Sequence, residues 1–243
     1  MQSTLSQMPL VLITRPLAQS KAFSDALQGL NIPPFQSVQS PLFEIKATGA
    51  VADLSRVEGV VFTSANGAAF APDGEGRPAF CVGEKTAQVA RVRGFDARFA
   101  QGTAPSLIEK IKRDAPKGPL LHLRGALSVG DLAGKLTNAG IETHEVVVYD
   151  QVPKALSFDA LTKLRVTARR VLPVFSPATA RQLCDELKRW DIAPTPTTAF
   201  VASSSAVADV LSGYGMACSV AQSPNGQEML RLVAENIAQL HSA

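Results

Sequence analysis

Short apolar runs alternate with segments of helical spacing along the whole chain. Runs of four or five apolar residues between helical patterns predict strands buried on both faces, as in parallel sheets of α/β proteins. The predicted strands are LVLIT (10–14), GVVFT (59–63), AFCVG (79–83), LLHLR (120–124), VLPVF (171–175) and TAFVA (198–202). Helical patterns occupy 17–30, 84–94, 105–114, 129–140, 178–190, 204–215 and 225–240. The sequence therefore predicts an α/β fold with Rossmann-like parallel sheets.

Two further stretches, 35–46 and 142–154, alternate polar and apolar residues and contain prolines. They lack helical spacing, so we expect partly exposed strands or connectors. They also fall where a change from one lobe to another would be expected.

The chain contains internal sequence repeats. VVFTSANGAA (60–69) and PVFSPATARQ (173–182) each end an apolar run in Phe, followed by small hydroxylated residues and a helix-compatible segment. PLVLITR (9–15) and PLLHLRG (119–125) are a second similar pair, in which an arginine ends each strand. The ordered repetition indicates two lobes built from the same βα units.

The order of these units predicts a discontinuous first lobe and a continuous second one. We expect residues 1–34 plus 155–243 in lobe one and 47–141 in lobe two, joined by connector strands 35–46 and 142–154. Two crossings make a hinge, and a hinge implies a cleft. Ligands of open parallel sheets bind outside the carboxyl ends of the strands, so the serine-containing turns are candidates to line that cleft.

Composition narrows the class of protein. The chain has 243 residues, 46% of them hydrophobic, and a net charge of +3 without a Lys/Arg block, which disfavours nucleic-acid binding. Its three cysteines form no C-x-x-C motif, so neither a disulfide framework nor a zinc site is expected.

No apolar run is long enough to span a membrane, and the amino terminus does not resemble a secretion signal. We expect a cytoplasmic protein.

Several familiar sites are disfavoured by their spacing. GDLAGKLT (130–137) resembles a P-loop but has one residue too few between its glycines. No G-x-G-x-x-G follows a strand, no G-x-S-x-G elbow occurs, and neither His/Cys nor carboxylate clusters have metal-ligand spacing. His122 lies within a predicted strand and is expected in the core. No metal and no cofactor are expected.

The remaining candidates suit a small anionic ligand. Ser64, Ser176 and Ser203 could cap helices, and the same geometry offers backbone N–H groups to an anion. Arg15 and Arg124 end matched strands, where they either point into the crevice or are solvated at the surface. Two further candidates are Lys85, at a helix start that disfavours a cation unless an anion joins it, and Tyr149, on a predicted connector.

These segments together resemble the uroporphyrinogen-III synthase family over nearly the whole chain. The similar segments, in order, are VLITRP, VVFTSANGAA, FCVGEKTA, LLHLRG, EVVVYDQVP and VFSPATA. One departure lies at 202–206, where this chain has Ala-Ser-Ser-Ser-Ala and the family often has Gly-Pro-Thr-Thr-Ala. The alanine in place of glycine disfavours close backbone approach of a ligand there.

The resemblance implies an enzyme of tetrapyrrole biosynthesis, a cyclising hydro-lyase that works without a cofactor. Its substrate, hydroxymethylbilane, is a linear polycarboxylate that closes into a macrocycle with its last pyrrole ring inverted. By resemblance, Tyr149 is the candidate catalytic acid. The candidate substrate-binding residues are Arg15, Thr63, Ser64, Ala65, Asn66, Gly83, Lys85, Thr86, Arg124, Gly125, Ser176, Pro177, Ser204 and Ser205.

The alternative is a non-catalytic bilobed protein that binds or senses an anion. No appended DNA-binding helix-turn-helix accompanies the predicted lobes, which disfavours a regulator. We expect a monomer with no nucleic-acid or membrane partner.

Overall fold

The computed structural model describes residues 8–128, 130–223 and 225–242. The first seven residues of predicted lobe one thus lie outside the described part of the chain. The strands are β1 (Leu10–Ile13), β2 (Gln36–Gln39), β3 (Phe43–Ala47), β4 (Gly59–Phe62), β5 (Pro78–Cys81), β6 (Asp96–Phe99), β7 (Leu120–Gly125), β8 (Thr143–Pro153), β9 (Arg170–Val174), β10 (Thr198–Ala202) and β11 (Cys218–Val220). The helices are α1 (Leu17–Gln28), α2 (Ala65–Ala69), α3 (Glu84–Val92), α4 (Ala104–Asp114), α5 (Leu132–Asn138), α6 (Phe158–Val166), α7 (Pro177–Arg189), α8 (Ser205–Gly213) and α9 (Gly226–Ser242).

The strands form two sheets, as the α/β prediction requires. A five-stranded sheet has the order β11-β10-β9-β1-β2, and a six-stranded sheet has the order β3-β8-β7-β4-β5-β6. By compactness the chain divides into unit 1, residues Met1–Glu44 and Pro153–Ala243, and unit 2, residues Ile45–Val152. The first sheet belongs to unit 1. The second belongs to unit 2 apart from the ends of β3 and β8.

The central strands are parallel and buried on both faces, which explains their continuous apolar runs. All four residues of β1 and of β4, and all five of β9, are buried. In unit 1, one face of the sheet packs on α6, α7 and α8, and the other packs on α1 and α9. In unit 2, α2 and α3 cover one face, while α4 and α5 cover the other.

The two units share a strand order, which explains the internal sequence repeats. β2-β1-β9-β10-β11 and β8-β7-β4-β5-β6 are the same arrangement if β7 and β8 correspond to β1 and β2. Val11 pairs with Val171 in one sheet, and Leu120 pairs with Gly59 in the other. Val171 and Gly59 occupy equivalent places, because each lies six residues before the helix that follows its strand. Ile13 lies two residues after Val11, and His122 lies two residues after Leu120. Strand register and the helices on each face thus align His122 with Ile13 and Arg124 with Arg15.

The two stretches predicted as connectors are strands of these sheets. β2 lies within 35–46 and pairs in parallel with β1. β3 pairs with β8, which spans nearly all of 142–154. The Thr48 backbone N–H donates to the Val148 carbonyl, and the Lys154 N–H donates to the Leu42 carbonyl. The residue numbers rise along one strand as they fall along the other, so β3 and β8 run antiparallel.

Three elements, β6, β11 and α6, were not predicted from the sequence pattern. The strands β6 and β11 lie at sheet edges, and each exposes part of its length, so neither presents a continuous apolar run. Helix α6 buries only Ala160 and Leu164, while its terminal Phe158 and Val166 are exposed. Within the described residues, no helix has the length and apolar character needed to cross a membrane.

Candidate active site

Serine hydroxyls cap two helices that follow central strands. Ser64 Oγ accepts a hydrogen bond from the Gly67 N–H at 3.0 Å, at the start of α2. Ser176 Oγ accepts one from the Thr179 N–H at 3.1 Å, at the start of α7. Capping is therefore confirmed at both positions, and the helices are fixed at the carboxyl ends of β4 and β9.

The predicted cap at Ser203 is wrong. Helix α8 begins one residue later, with Ser204 as its N-cap, and the Ser204 side chain makes no capping hydrogen bond. Ser203 is buried and its backbone N–H donates to the Val174 carbonyl, because it continues the pairing of β10 with β9. The Ser204 side chain therefore does not compete for the first N–H groups of α8.

Tyr149 lies beside the Ser64 cap in unit 2. The Tyr149 and Ser64 hydroxyl oxygens are 2.9 Å apart, and either group could donate. The Tyr149 ring stacks on Phe70 with centroids 6.0 Å apart, and the residue is 8% exposed. The chain thus places a rigidly held phenol within hydrogen-bonding distance of a helix-capping hydroxyl.

A β-bulge and a glycine give Tyr149 this position. The β7–β8 register shifts between Arg124 and Gly125, so that Tyr149 rather than Val148 lies opposite Gly125. A Cβ atom at Gly125 would lie 2.5 Å from the Tyr149 Cζ atom. Gly125, predicted to bind substrate, therefore has an observed role in making room for the ring.

Four polar side chains, from β7, from β8 and from the residue that follows β4, form a continuous hydrogen-bonded chain. Thr63 Oγ1 lies 3.0 Å from His122 Nε2. His122 Nδ1 lies 3.0 Å from Glu145 Oε1, and Arg124 Nε donates to Glu145 Oε2 at 2.8 Å. Arg124 also donates to the Gly125 carbonyl at 2.9 Å. We call Thr63, His122, Glu145 and Arg124 the unit 2 relay.

The electrostatics of the relay fix its protonation. Burial lowers the pKa of His122 and outweighs the opposing effect of Glu145. Burial by itself would raise the pKa of Glu145, but hydrogen bonds from His122 and Arg124 hold it below its ordinary value. A neutral imidazole therefore lies against an ionised carboxylate. Because a carboxylate only accepts, Nδ1 carries the ring proton and Nε2 accepts from the Thr63 hydroxyl.

The relay contains two residues that the sequence analysis did not assign to the site. His122 is buried, as expected, with 1% exposure, but both of its ring nitrogens have polar partners. Glu145 pairs with His122 in strand register. The only sequence signal was a histidine inside an apolar strand, together with a glutamate in an alternating strand.

In unit 1, Arg15 occupies the corresponding strand end with different contacts. Its guanidinium carbon lies 4.1 Å from the centroid of the Phe175 ring, a cation–π contact, and its Nε donates to Gln19 at 3.1 Å. Among the described residues, no carboxylate forms an ion pair with Arg15. It lines an open surface cavity of about 580 Å³ with residues of α1 and of the start of α9.

The other predicted binding residues are distributed over several helix starts. Ala65 and Asn66 begin α2, and Pro177 begins α7. Gly83 is the N-cap of α3, in whose first turn Lys85 is exposed and Thr86 is buried. Ser205 is the exposed first residue of α8. Within unit 2, the structure brings Thr63, Ser64, Arg124, Gly125 and Tyr149 together, and the substrate-binding roles remain predictions.

Comparison with known families bears on what this site does. Residues 28–231 match the family model HEM4, described as uroporphyrinogen-III synthase HemD. The chain belongs to the uroporphyrinogen-III synthase family. As a family member it is a cyclising hydro-lyase of tetrapyrrole biosynthesis.

Solved structures of uroporphyrinogen-III synthases share the fold. The enzyme of Helicobacter pylori is 19% identical, with a TM-score of 0.63 over 94% of this chain and 99% of its own. A mutant uroporphyrinogen III synthase of Thermus thermophilus is 16% identical, with a TM-score of 0.50 over 95% of this chain and 99% of its own. A search of curated proteins gives no significant match.

Proposed function

We propose that this uroporphyrinogen-III synthase uses Tyr149 to protonate the leaving hydroxyl group of hydroxymethylbilane. The observation that supports this role is the 2.9 Å contact between the Tyr149 and Ser64 hydroxyl oxygens at the start of α2. When Ser64 donates to the phenolic oxygen, the Tyr149 proton is available to the substrate. Ser64 also accepts from the Gly67 N–H, which holds the seryl oxygen in place.

The chemistry needs one proton transfer and a controlled direction of attack. The pyrrole nitrogen lone pair expels the terminal hydroxyl as the Tyr149 proton moves to its oxygen, so the C–O bond breaks and water leaves. The resulting azafulvenium carbon is attacked by the substituted carbon of the last pyrrole, which gives a spiro intermediate. Reopening and closure at the other position invert that ring. The proton released on rearomatisation returns to the phenolate.

The phenolate formed in this step is stabilised by the same hydrogen bond. Ser64 donates to the oxygen on which negative charge develops, and its position does not have to change during the reaction. General acid catalysis of this kind contributes roughly 10²- to 10⁴-fold in rate. The remaining acceleration comes from holding the two ends of the bilane within bonding distance.

The substrate carboxylates are proposed to bind at helix starts in each unit. Free N–H groups and the positive end of the helix dipole favour anions at the starts of α3, α7 and α8. Gly83, Ser176 and Ser204 hold these starts in extended conformations. Arg15 adds a cation without a carboxylate partner among the described residues. We further propose that the protein acts as a cytoplasmic monomer.

Isomer analysis tests the proposed reaction. The protein is given freshly prepared hydroxymethylbilane, the products are oxidised, and the type I and type III isomers are separated. We expect type III as the main product. Type I alone, at the rate of the reaction without protein, would contradict the proposal.

A further inference from the structure

We propose that His122, held by Glu145, is a positioning residue that fixes the Thr63 hydroxyl as a hydrogen-bond acceptor for a pyrrole N–H of the substrate. The inference rests on the proposed function for the identity of the ligand. It assigns Thr63 to the uncharged part of the substrate, whereas the proposed carboxylate sites are the backbone N–H groups at the starts of α3, α7 and α8.

The direction of the hydrogen bonds follows from the fixed donor and acceptor at the start of the relay. Arg124 only donates and the Glu145 carboxylate only accepts, so Glu145 takes hydrogen bonds from Arg124 Nε and from His122 Nδ1. Burial lowers the pKa of His122 and favours a neutral ring, in which Nε2 keeps its lone pair and accepts from Thr63 Oγ1 over 3.0 Å. The only hydrogen of the Thr63 hydroxyl is thus directed into the protein.

A hydroxyl whose hydrogen is used can only accept from a ligand. The two lone pairs of Thr63 Oγ1 suit an N–H donor and repel a carboxylate oxygen. Thr63 is half-buried and directly precedes Ser64, whose hydroxyl contacts Tyr149. A bilane has two kinds of hydrogen-bond donor, its pyrrole N–H groups and its terminal O–H. The terminal O–H leaves with the water, so a pyrrole N–H is the donor that this acceptor would hold throughout the reaction.

The fold itself does not require a polar residue at the His122 position. The corresponding residue of unit 1, Ile13, is completely buried and belongs to the hydrophobic cluster that contains Phe23 and Val201. Burying a histidine is unfavourable unless both ring nitrogens are paired. The charged groups that act on His122 are Glu145 from β8 and Arg124 from its own strand, while the residue after β4 is the neutral Thr63.

A double-mutant cycle tests whether His122 acts through Thr63. The kcat/KM for type III formation is measured for His122→Ile, Thr63→Val and the double variant, with exposed His144→Gln as the matched histidine control. Loss of one hydrogen bond corresponds to about a 3- to 10-fold decrease for each single variant. We expect the double variant to match Thr63→Val. Additive losses would overturn the inference, because they would show that His122 acts independently of Thr63.

A second measurement does not depend on activity or on the variants. In ¹⁵N-histidine NMR spectra of the unmodified protein at neutral pH, we expect His122 as the Nδ1–H tautomer with an unprotonated Nε2. An Nε2–H tautomer or a charged ring would overturn the inference, since Thr63 would then be free to donate. Failure of the unmodified protein to form the type III isomer would instead contradict the proposed function.

Discussion

Equivalent strand ends in the two units are built from opposite kinds of residue. In unit 1, Ile13 and Phe175 are apolar, and Arg15 stacks on the Phe175 ring. In unit 2, the positions aligned with Ile13 and Arg15 hold His122 and Arg124, which are joined through Glu145. Thr63, which like Phe175 directly precedes a capping serine, bonds to His122. The same strand order therefore supports an apolar end with a cation available to a ligand, and a polar end whose cation is already paired.

This difference teaches that the repeated fold does not determine the chemistry at its edges. Unit 1 shows that apolar packing suffices for the strand end, so the relay of unit 2 is an addition that the fold tolerates. The proposed acid, Tyr149, lies on the polar side. We infer a division of tasks in which unit 2 directs proton transfer and unit 1 supplies the cation that is free to bind a substrate carboxylate.

The largest expected effect is that of removing the proposed acid. Tyr149→Phe should lower the rate of type III formation about 10²- to 10⁴-fold, because the proton donor is lost while the ring still packs on Phe70. Steady-state rates with the isomers resolved provide the measurement. A folded variant with the full rate would remove Tyr149 from the mechanism.

The two capping serines allow a matched comparison. Ser64→Ala and Ser176→Ala should each lower the free energy of unfolding by about 1 kcal/mol, since each removes one N-cap. Ser64→Ala should also lower kcat about 10-fold, because the hydrogen bond to Tyr149 is lost. Urea denaturation and turnover measure the two effects. Equal loss of kcat in both variants would argue against a special role for unit 2.

The arginine at the strand end of unit 1 should act on binding. Arg15→Ala is expected to raise KM about 3- to 10-fold at low salt and less at high salt, because salt screens attraction between exposed charges. Steady-state kinetics at two ionic strengths measure this. An unchanged KM at both would place Arg15 at the solvated surface without a ligand.

The smallest expected effect is a dependence of stability on pH. The folded pKa of His122 lies below its ordinary value of 6.5, so the unfolded chain binds a proton more readily as pH falls below 6.5. The unmodified protein should therefore lose stability between pH 6.5 and the folded pKa, and His122→Ile should lose less. Urea denaturation at a series of pH values tests this. Parallel curves for the two proteins would contradict the assignment of a neutral His122.

The sequence predicted much of the fold and less of the site. Apolar runs identified the central strands because parallel strands are buried on both faces, whereas the edge strands β6 and β11 have no such run. The motifs located Ser64, Ser176 and Tyr149. They did not reveal the contact of Tyr149 with Ser64, which depends on a bulge between β7 and β8.

The relay could not be predicted because it depends on strand register. His122 and Glu145 are separated by 23 positions, and only the pairing of β7 with β8 places them opposite each other. A histidine in an apolar strand is compatible with ordinary burial until its neighbours across the sheet are known. The pairing of Arg124 with Glu145 could not be seen in the pattern for the same reason, and the substrate-binding role of Arg124 stays a prediction.

The division of tasks between the units is tested most directly by comparing Tyr149→Phe and Arg15→Ala in one steady-state assay with resolved isomers. The account predicts that Tyr149→Phe lowers kcat with little change in KM, and that Arg15→Ala raises KM with little change in kcat. If Tyr149→Phe instead raises KM at an unchanged kcat, Tyr149 only binds substrate and the account is contradicted.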